Sequence, residues 1–180
     1  MRVAWKAFIL RDEDPTAAFN EYRRAHWARA DAYEPEARFV PWRGAARFPT
    51  WGVPALLGSK AAERQGRFDP FHMACFKAMF TDSRDISDPE VLTAIAREAG
   101  LDPARFAADL ADPELRRAVL ADHREAVERY GVRAIPTVVI GERVIEGAVP
   151  EDVYGRAIET ARRGASVPCE SGPADRPGEV

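Results

Sequence analysis

At 180 residues and 46% hydrophobic composition, the chain has the size and apolar content of one compact domain, or of one domain with a helical insertion. Its 26 basic and 29 acidic residues give a formal charge of -3 with no block of like charge, which argues against a nucleic-acid partner. The opening Met-Arg-Val-Ala-Trp-Lys-Ala-Phe-Ile-Leu is interrupted by Lys6 and met at once by Asp12, Glu13 and Asp14, too short and too charged for a signal peptide or a membrane span. Cys75 and Cys169 lie far apart and suggest neither a disulfide framework nor a metal site, so a reducing, cytoplasmic setting is expected.

Val3 to Leu10 is short, apolar and aromatic, and ends in a charged turn, which predicts one buried strand. Asp14 before Pro15 supplies an N-cap and a first-turn proline; Phe19, Tyr22, His26 and Trp27 follow at helical spacing and predict a helix to about Ala32. Arg23, Arg24 and Arg29 on that helix read as a solvated face. Pro35, Pro41, Pro49, Pro54, Gly44 and Gly52 predict an irregular connection over 33–54, pinned to the body by Trp42, Phe48 and Trp51. With Trp5 and Trp27, these tryptophans are read as core filling. Gly58-Ser59-Lys60 lacks the glycine spacing of a phosphate loop and is given no role.

The middle of the chain reads as helical. Asp69-Pro70, Asp88-Pro89, Asp102-Pro103 and Asp112-Pro113 each place an Asp N-cap before a proline at the first helical position. Gly100 and Gly131 stand where left-handed C-terminal glycines are expected. Cys75 shares a helical face with Phe71, His72 and Met79 and reads as a small core hydrophobe rather than a reactive thiol. His26, His72 and His123 fall on different predicted helices, with His72-x-x-Cys75 the nearest approach to a ligand pair, so no metal and no other cofactor is expected. Asp122-His123 and the pair Glu125 with Arg129 read as a solvated helix face.

After Gly131 the period changes. Thr137 to Ile140 is β-branched throughout, Gly141-Glu142 makes a tight turn and Arg143 to Glu146 returns, a short antiparallel hairpin. Pro150, Glu151 and Asp152 open a last helix with Val153, Ala157, Ile158 and Ala161 facing inward. From Gly164 the composition turns to Gly, Ser, Pro and charge, and 164–180 is expected to be a disordered tail.

A strand, a large helical region, Gly-Val-x-x-Ile-Pro-Thr, a hairpin, Gly-Ala-x-Pro-Glu and a terminal helix together resemble the DsbA-like thioredoxin family. The middle segments Phe71 to Phe80, Asp85-Ile86-Ser87-Asp88 and Gly100-Leu101-Asp102 are similar to its cytoplasmic FrnE-like subgroup. The resemblance implies an α/β, thioredoxin-like (DsbA-type) sheet in a domain over 1–163, with the helical insertion at about 54–130 and the proline loop, hairpin and last helix at 131–163. It also implies that the first βα unit, on the order of 30 residues and bearing the redox Cys-x-x-C, is missing, as in a truncated chain. By the same resemblance the Ile135-Pro136 bond is cis, Pro136 shapes the loop, and the backbone of Ile135 pairs with an extended substrate.

Three functions follow as expectations. The first is a thiol-disulfide oxidoreductase or isomerase acting on a thiol- or disulfide-bearing protein or small molecule, inactive in this form because the chain has no Cys-x-x-C and so no catalytic residue. The second is a non-catalytic thioredoxin-like module that binds a peptide or dimerises through exposed strand edges. The third, also from resemblance, is a glutathione-dependent isomerase or transferase of the 2-hydroxychromene-2-carboxylate isomerase or kappa type.

Overall fold

The computed structural model describes residues 3–11, 18–44 and 48–164. The expected helix start at Asp14-Pro15 and the tail beyond Gly164, with Cys169, lie outside the described residues. Two compact units divide the chain, Met1–Ala126 and Val127–Val180.

The first unit is helical. Helix α1 spans Glu21–Tyr33 and is capped by Asn20, whose side chain accepts from the Arg23 N–H at 3.1 Å. A single 3-10 turn over Pro35–Ala37 follows, then α2 (Val53–Arg64), α3 (Phe68–Phe80), α4 (Pro89–Glu98), α5 (Pro103–Leu110) and α6 (Pro113–Tyr130), whose last turn passes into the second unit. The side chains of Asp88, Asp102 and Asp112 accept backbone N–H groups of the first turns they precede, as the Asp-Pro pairs predict. Asp69-Pro70 differs: α3 already begins at Phe68 with Arg67 at the cap position, so Asp69 and Pro70 lie inside the first turn. The cause is the tight link from α2, where Gly66 takes a φ of 66° and the Arg67 N–H returns to the Ala62 carbonyl at 2.9 Å.

Two apolar clusters hold this unit. In one, Phe71, Leu92, Ile95 and Phe106 are fully buried among the small residues Ala61, Ala62, Ala78 and Ala96, with Cys75 beside them. In the other, Trp27 packs edge-on against Phe19 at 4.9 Å and Phe80 at 5.1 Å, over Phe48 and Met79. The irregular connection joins this second cluster through Phe39, Trp42 and Phe48, and its backbone is tied to the end of α3 by Val40 N–H to the Phe80 carbonyl at 2.8 Å. Arg23 and Arg24 lie over the Phe48 and Phe19 rings, so part of the basic face of α1 covers aromatic surface.

Residues 3–9 do not form the expected buried strand. Among the described residues no strand pairs with them; the N–H groups of Ala7 and Ile9 go instead to the Asp122 and His123 side chains of α6, at 3.1 and 3.2 Å. Only Ala7 is buried, and Trp5, expected in the core, is 55% exposed and lies against Phe68 and His72. Asp122 overturns another expectation. It is 8% exposed, not part of a solvated face, and is ion-paired with Lys6 at 3.0 Å and Lys60 at 2.7 Å. Lys60, given no role from sequence, is therefore a partly buried counter-charge.

The second unit holds strands β1 (Thr137–Ile140) and β2 (Arg143–Glu146) and helix α7 (Glu151–Arg162). The strands pair antiparallel with Val138 opposite Ile145 and Ile140 opposite Arg143. Gly141, at the first loop position, takes the positive φ of 63° that a two-residue hairpin of this hand needs. Ile145 is buried in this unit, as is Ala157 of α7; Ala161, expected to face inward, is exposed.

Candidate functional site

The loop from Gly131 to Pro136 enters β1 and is fixed from both ends. Gly131 ends α6 with a φ of 65°, and Val132 is buried. At the other end the Gly147 N–H donates to the Pro136 carbonyl at 2.7 Å, extending the hairpin ladder by one rung, while the Thr137 hydroxyl donates to the Ala134 carbonyl at 2.7 Å. The Ile135-Pro136 peptide is cis. Ile135 is left outward at 52% exposure, and its backbone N–H and carbonyl carry no partner among the described residues. The sequence-predicted pair Ile135 and Pro136 thus stands as one exposed corner, with a shaped and tethered residue following an unpaired one. The hairpin beyond it has two strands, so β1 and β2 each keep one unpaired edge among the described residues.

Chemically this corner offers backbone donors and acceptors and an apolar side chain, and no nucleophile. Cys75 lies in the first unit, 6% exposed within the α3 core. Burial pushes its thiol up to about 12, against a smaller downward pull from the Arg84 charge, so the thiolate that disulfide exchange requires is not populated at neutral pH. The sequence holds only one further cysteine, Cys169, and no Cys-x-x-C. Among the described residues no group of three or more His, Cys, Asp or Glu side chains is placed to hold a metal ion, and no helix is long and apolar enough to cross a membrane.

What sequence reasoning missed is the cluster on α6. Asp122, Lys60, Lys6 and Glu125 come together there, with Lys6 Nζ at 3.0 Å from carboxylate oxygens of both Asp122 and Glu125. Glu125 and Asp122 together hold the Lys6 ammonium above its ordinary value. A polar run on a long, charged helix gives no local sign of being buried by a distant segment. The one available signal was Lys6 interrupting an apolar stretch, a charge that needs a partner.

Known proteins give this geometry its context. The uncharacterized protein YwbO of Bacillus subtilis is 30% identical over 109 residues, 61% of this chain and 54% of that protein, so the chain spans about half the length of this relative. A probable DsbA oxidoreductase from Streptomyces coelicolor superposes with a TM-score of 0.66 at 28% identity, covering 88% of this chain and 68% of that one. A putative protein disulfide isomerase from Nitrosomonas europaea superposes with a TM-score of 0.68 at 18% identity, covering 85% and 80% of the two chains, a likeness of fold alone. Residues 54–159 match the family described as DSBA-like thioredoxin domain, and with that match spanning α2 through most of α7 the chain belongs to this family and has its thioredoxin-like fold with a helical insertion.

Proposed function

We propose that this chain is the substrate-holding part of a DsbA-type thiol-disulfide oxidoreductase of the FrnE-like, cytoplasmic kind. In this reading the backbone of Ile135 pairs with an extended segment of a thiol- or disulfide-bearing protein. The observation that carries it is the half-exposed Ile135, whose backbone has no partner among the described residues, next to Pro136, whose own carbonyl is tied down by Gly147. A fixed corner with free main-chain groups is what strand-like recognition of a peptide uses, because the peptide's N–H and C=O find partners whatever its side chains. Exchange itself needs a thiolate to attack the substrate disulfide and a second thiol to resolve the mixed disulfide. Cys75 is not suited to either part, so the 180-residue chain alone is expected to bind without turning over.

The test is a titration of the full chain with an extended peptide carrying one blocked cysteine. Ile135→Ala keeps the backbone donor and should retain binding within about twofold. Ile135→Pro removes the N–H and should weaken binding at least about tenfold, on the order of one charge-neutral hydrogen bond plus its lost register. Equal binding by both variants would remove the proposal. A second reading, a module that dimerises through its hairpin, is favoured by the unpaired edges of β1 and β2. Sedimentation over a concentration series separates it, since it demands a mass of twice 20.0 kDa.

A further inference from the structure

Helix α3 is apolar on two sides. Phe71, Cys75, Ala78 and Met79 turn into the core, yet the outer side carries Phe68, His72, Met73 and Phe76, and the only acidic and basic residues of the helix are Asp69 and Lys77. A helix that is apolar all round needs cover all round. On the outer side Phe68, His72, Phe76 and Phe80 recur every fourth residue and touch in series, with ring centroids 5.0, 4.8 and 5.6 Å apart. Trp5 lies on the first two rings at 6.0 and 4.9 Å. Phe80, at the inner end, joins the Trp27 cluster, but the rest of the face is open: Met73 is 67%, Trp5 55% and Phe76 49% exposed. A contiguous apolar patch of this sort on a folded domain marks a contact surface.

The charges on this face indicate what covers it. Asp69, Met73 and Lys77 stand at i, i+4 and i+8, in one line along the exposed surface, with the acid one turn before the methionine and the base one turn after it. Lys77 pairs with Asp82 of the same chain at 2.5 Å while its side chain stays mostly exposed, and Asp69 has no ion pair among the described residues. Such a line is complementary to its own reverse. We infer that a second copy of this chain covers the face, with the two α3 helices antiparallel about a two-fold axis at Met73. Asp69 of each copy then meets Lys77 of the other, and Met73 meets Met73, the reciprocity that a two-fold contact requires. The same axis keeps both ring ladders on one side of the contact. With about 1.5 Å of rise per residue, Phe76 of each copy comes level with the step between Phe68 and His72 of the other, the step over which Trp5 lies. This contact uses neither the hairpin edges nor the Ile135 corner.

The test is sedimentation of the full 180-residue chain over a concentration series, native and with its α3 charges reversed. The native chain is expected to form a dimer of twice 20.0 kDa. Asp69→Lys sets lysine against lysine at both ends of the contact, and Lys77→Glu sets acid against acid; each should weaken the dimer at least about tenfold. The double variant restores both cross pairs and should recover the native dissociation constant within about threefold. Lys77→Glu also loses the Asp82 pair within the chain, a loss the double variant shares, so recovery reports the contact between copies alone. Met73→Glu, at the axis, should give a monomer without altering either native charge, and Val144→Glu on the hairpin should leave the dimer unchanged. A native chain that is monomeric throughout the series overturns the proposal, which is the result if any other partner covers the face. So does a dimer that the double reversal fails to restore, or one that Val144→Glu removes.

Discussion

Lys60 Nζ lies 2.7 Å from Asp122 Oδ2, joining α2 to α6 through a pair whose side chains are 16% and 10% exposed. Burial alone pushes the Asp122 carboxyl up. The hydrogen bonds from Lys60, the Ala7 N–H and Lys6 together outweigh it and hold the group below the usual carboxylate range. A carboxyl whose folded-state pKa is depressed stabilises the fold above its unfolded pKa, and that contribution fades as pH falls through the folded value. Asp122→Ala takes from the partly buried Lys60 ammonium its nearer carboxylate and leaves it Glu63 at 3.5 Å, and the expected loss is about 2–4 kcal/mol at pH 7. Urea unfolding of both proteins checks it. The gap between them should shrink below about pH 4, and a gap that is the same at pH 3 as at pH 7 would assign the loss to packing instead.

The Asp-Pro pairs separate two kinds of aspartate that look identical in sequence. Asp102 accepts from the N–H groups of Ala104 and Arg105 at 2.9 and 3.1 Å, whereas Asp69 sits one position inside α3. Asp102→Ala should therefore cost about 1 kcal/mol, the usual worth of an N-cap. Asp69→Ala loses only a favourable charge near the helix N-terminus, about 0.5 kcal/mol. Thermal unfolding in parallel decides between them, and equal losses would mean that Asp69 caps after all.

The same comparison marks how much of the molecule its sequence discloses. Elements specified by their own residues were legible: the aspartates at 88, 102 and 112, the glycines ending helices at 100 and 131, and the hairpin around Gly141 are all set within a few residues. Cys75 was legible because its apolar neighbours recur at helical spacing. The burial of Asp122 was not, because the partners that remove it from water come from residue 60 and from residues 6 and 7, more than fifty positions away. Residues 3–9 failed for a related reason. A strand is defined by its neighbour, and an apolar run satisfied by helix side chains carries the same local pattern. At the candidate site, Ile135 and Pro136 were located by resemblance rather than by periodicity, while their tether to Gly147 emerges only once the hairpin closes.

Cys75 gives a prediction in the opposite pH direction. Its thiol is raised from about 9 to about 12, led by burial. A group that holds its proton more tightly in the folded state contributes stability that is complete below the unfolded pKa and is lost as pH rises through the folded one. Between about pH 9 and pH 12 the native protein should therefore weaken relative to Cys75→Ala, which at pH 7 costs about 1 kcal/mol through lost packing. Modification by a disulfide reagent at pH 8 supplies the companion measurement. Cys75 should react on the timescale of unfolding, and rapid labelling of the folded protein at this position would contradict the inertness on which the binding-only reading depends.

Two glycines inside helices should answer to the same substitution with opposite signs. A Cβ at Gly58 of α2 would stand 2.8 Å from Cζ of Phe71 and 3.2 Å from Cζ of Phe106, both rings fully buried and without room to withdraw. Overpacking of this kind costs about 1–3 kcal/mol, more than the roughly 1 kcal/mol that alanine gains over glycine in a helix. At Gly155 of α7 a Cβ meets nothing within 4 Å, so the propensity gain stands alone. Gly58→Ala should lower the denaturation midpoint and Gly155→Ala should raise it. Phe71→Leu in the Gly58→Ala background should lose less than Phe71→Leu alone, because the smaller side chain vacates the space that the new methyl needs; additive losses would show that the close approach at Gly58 relaxes elsewhere.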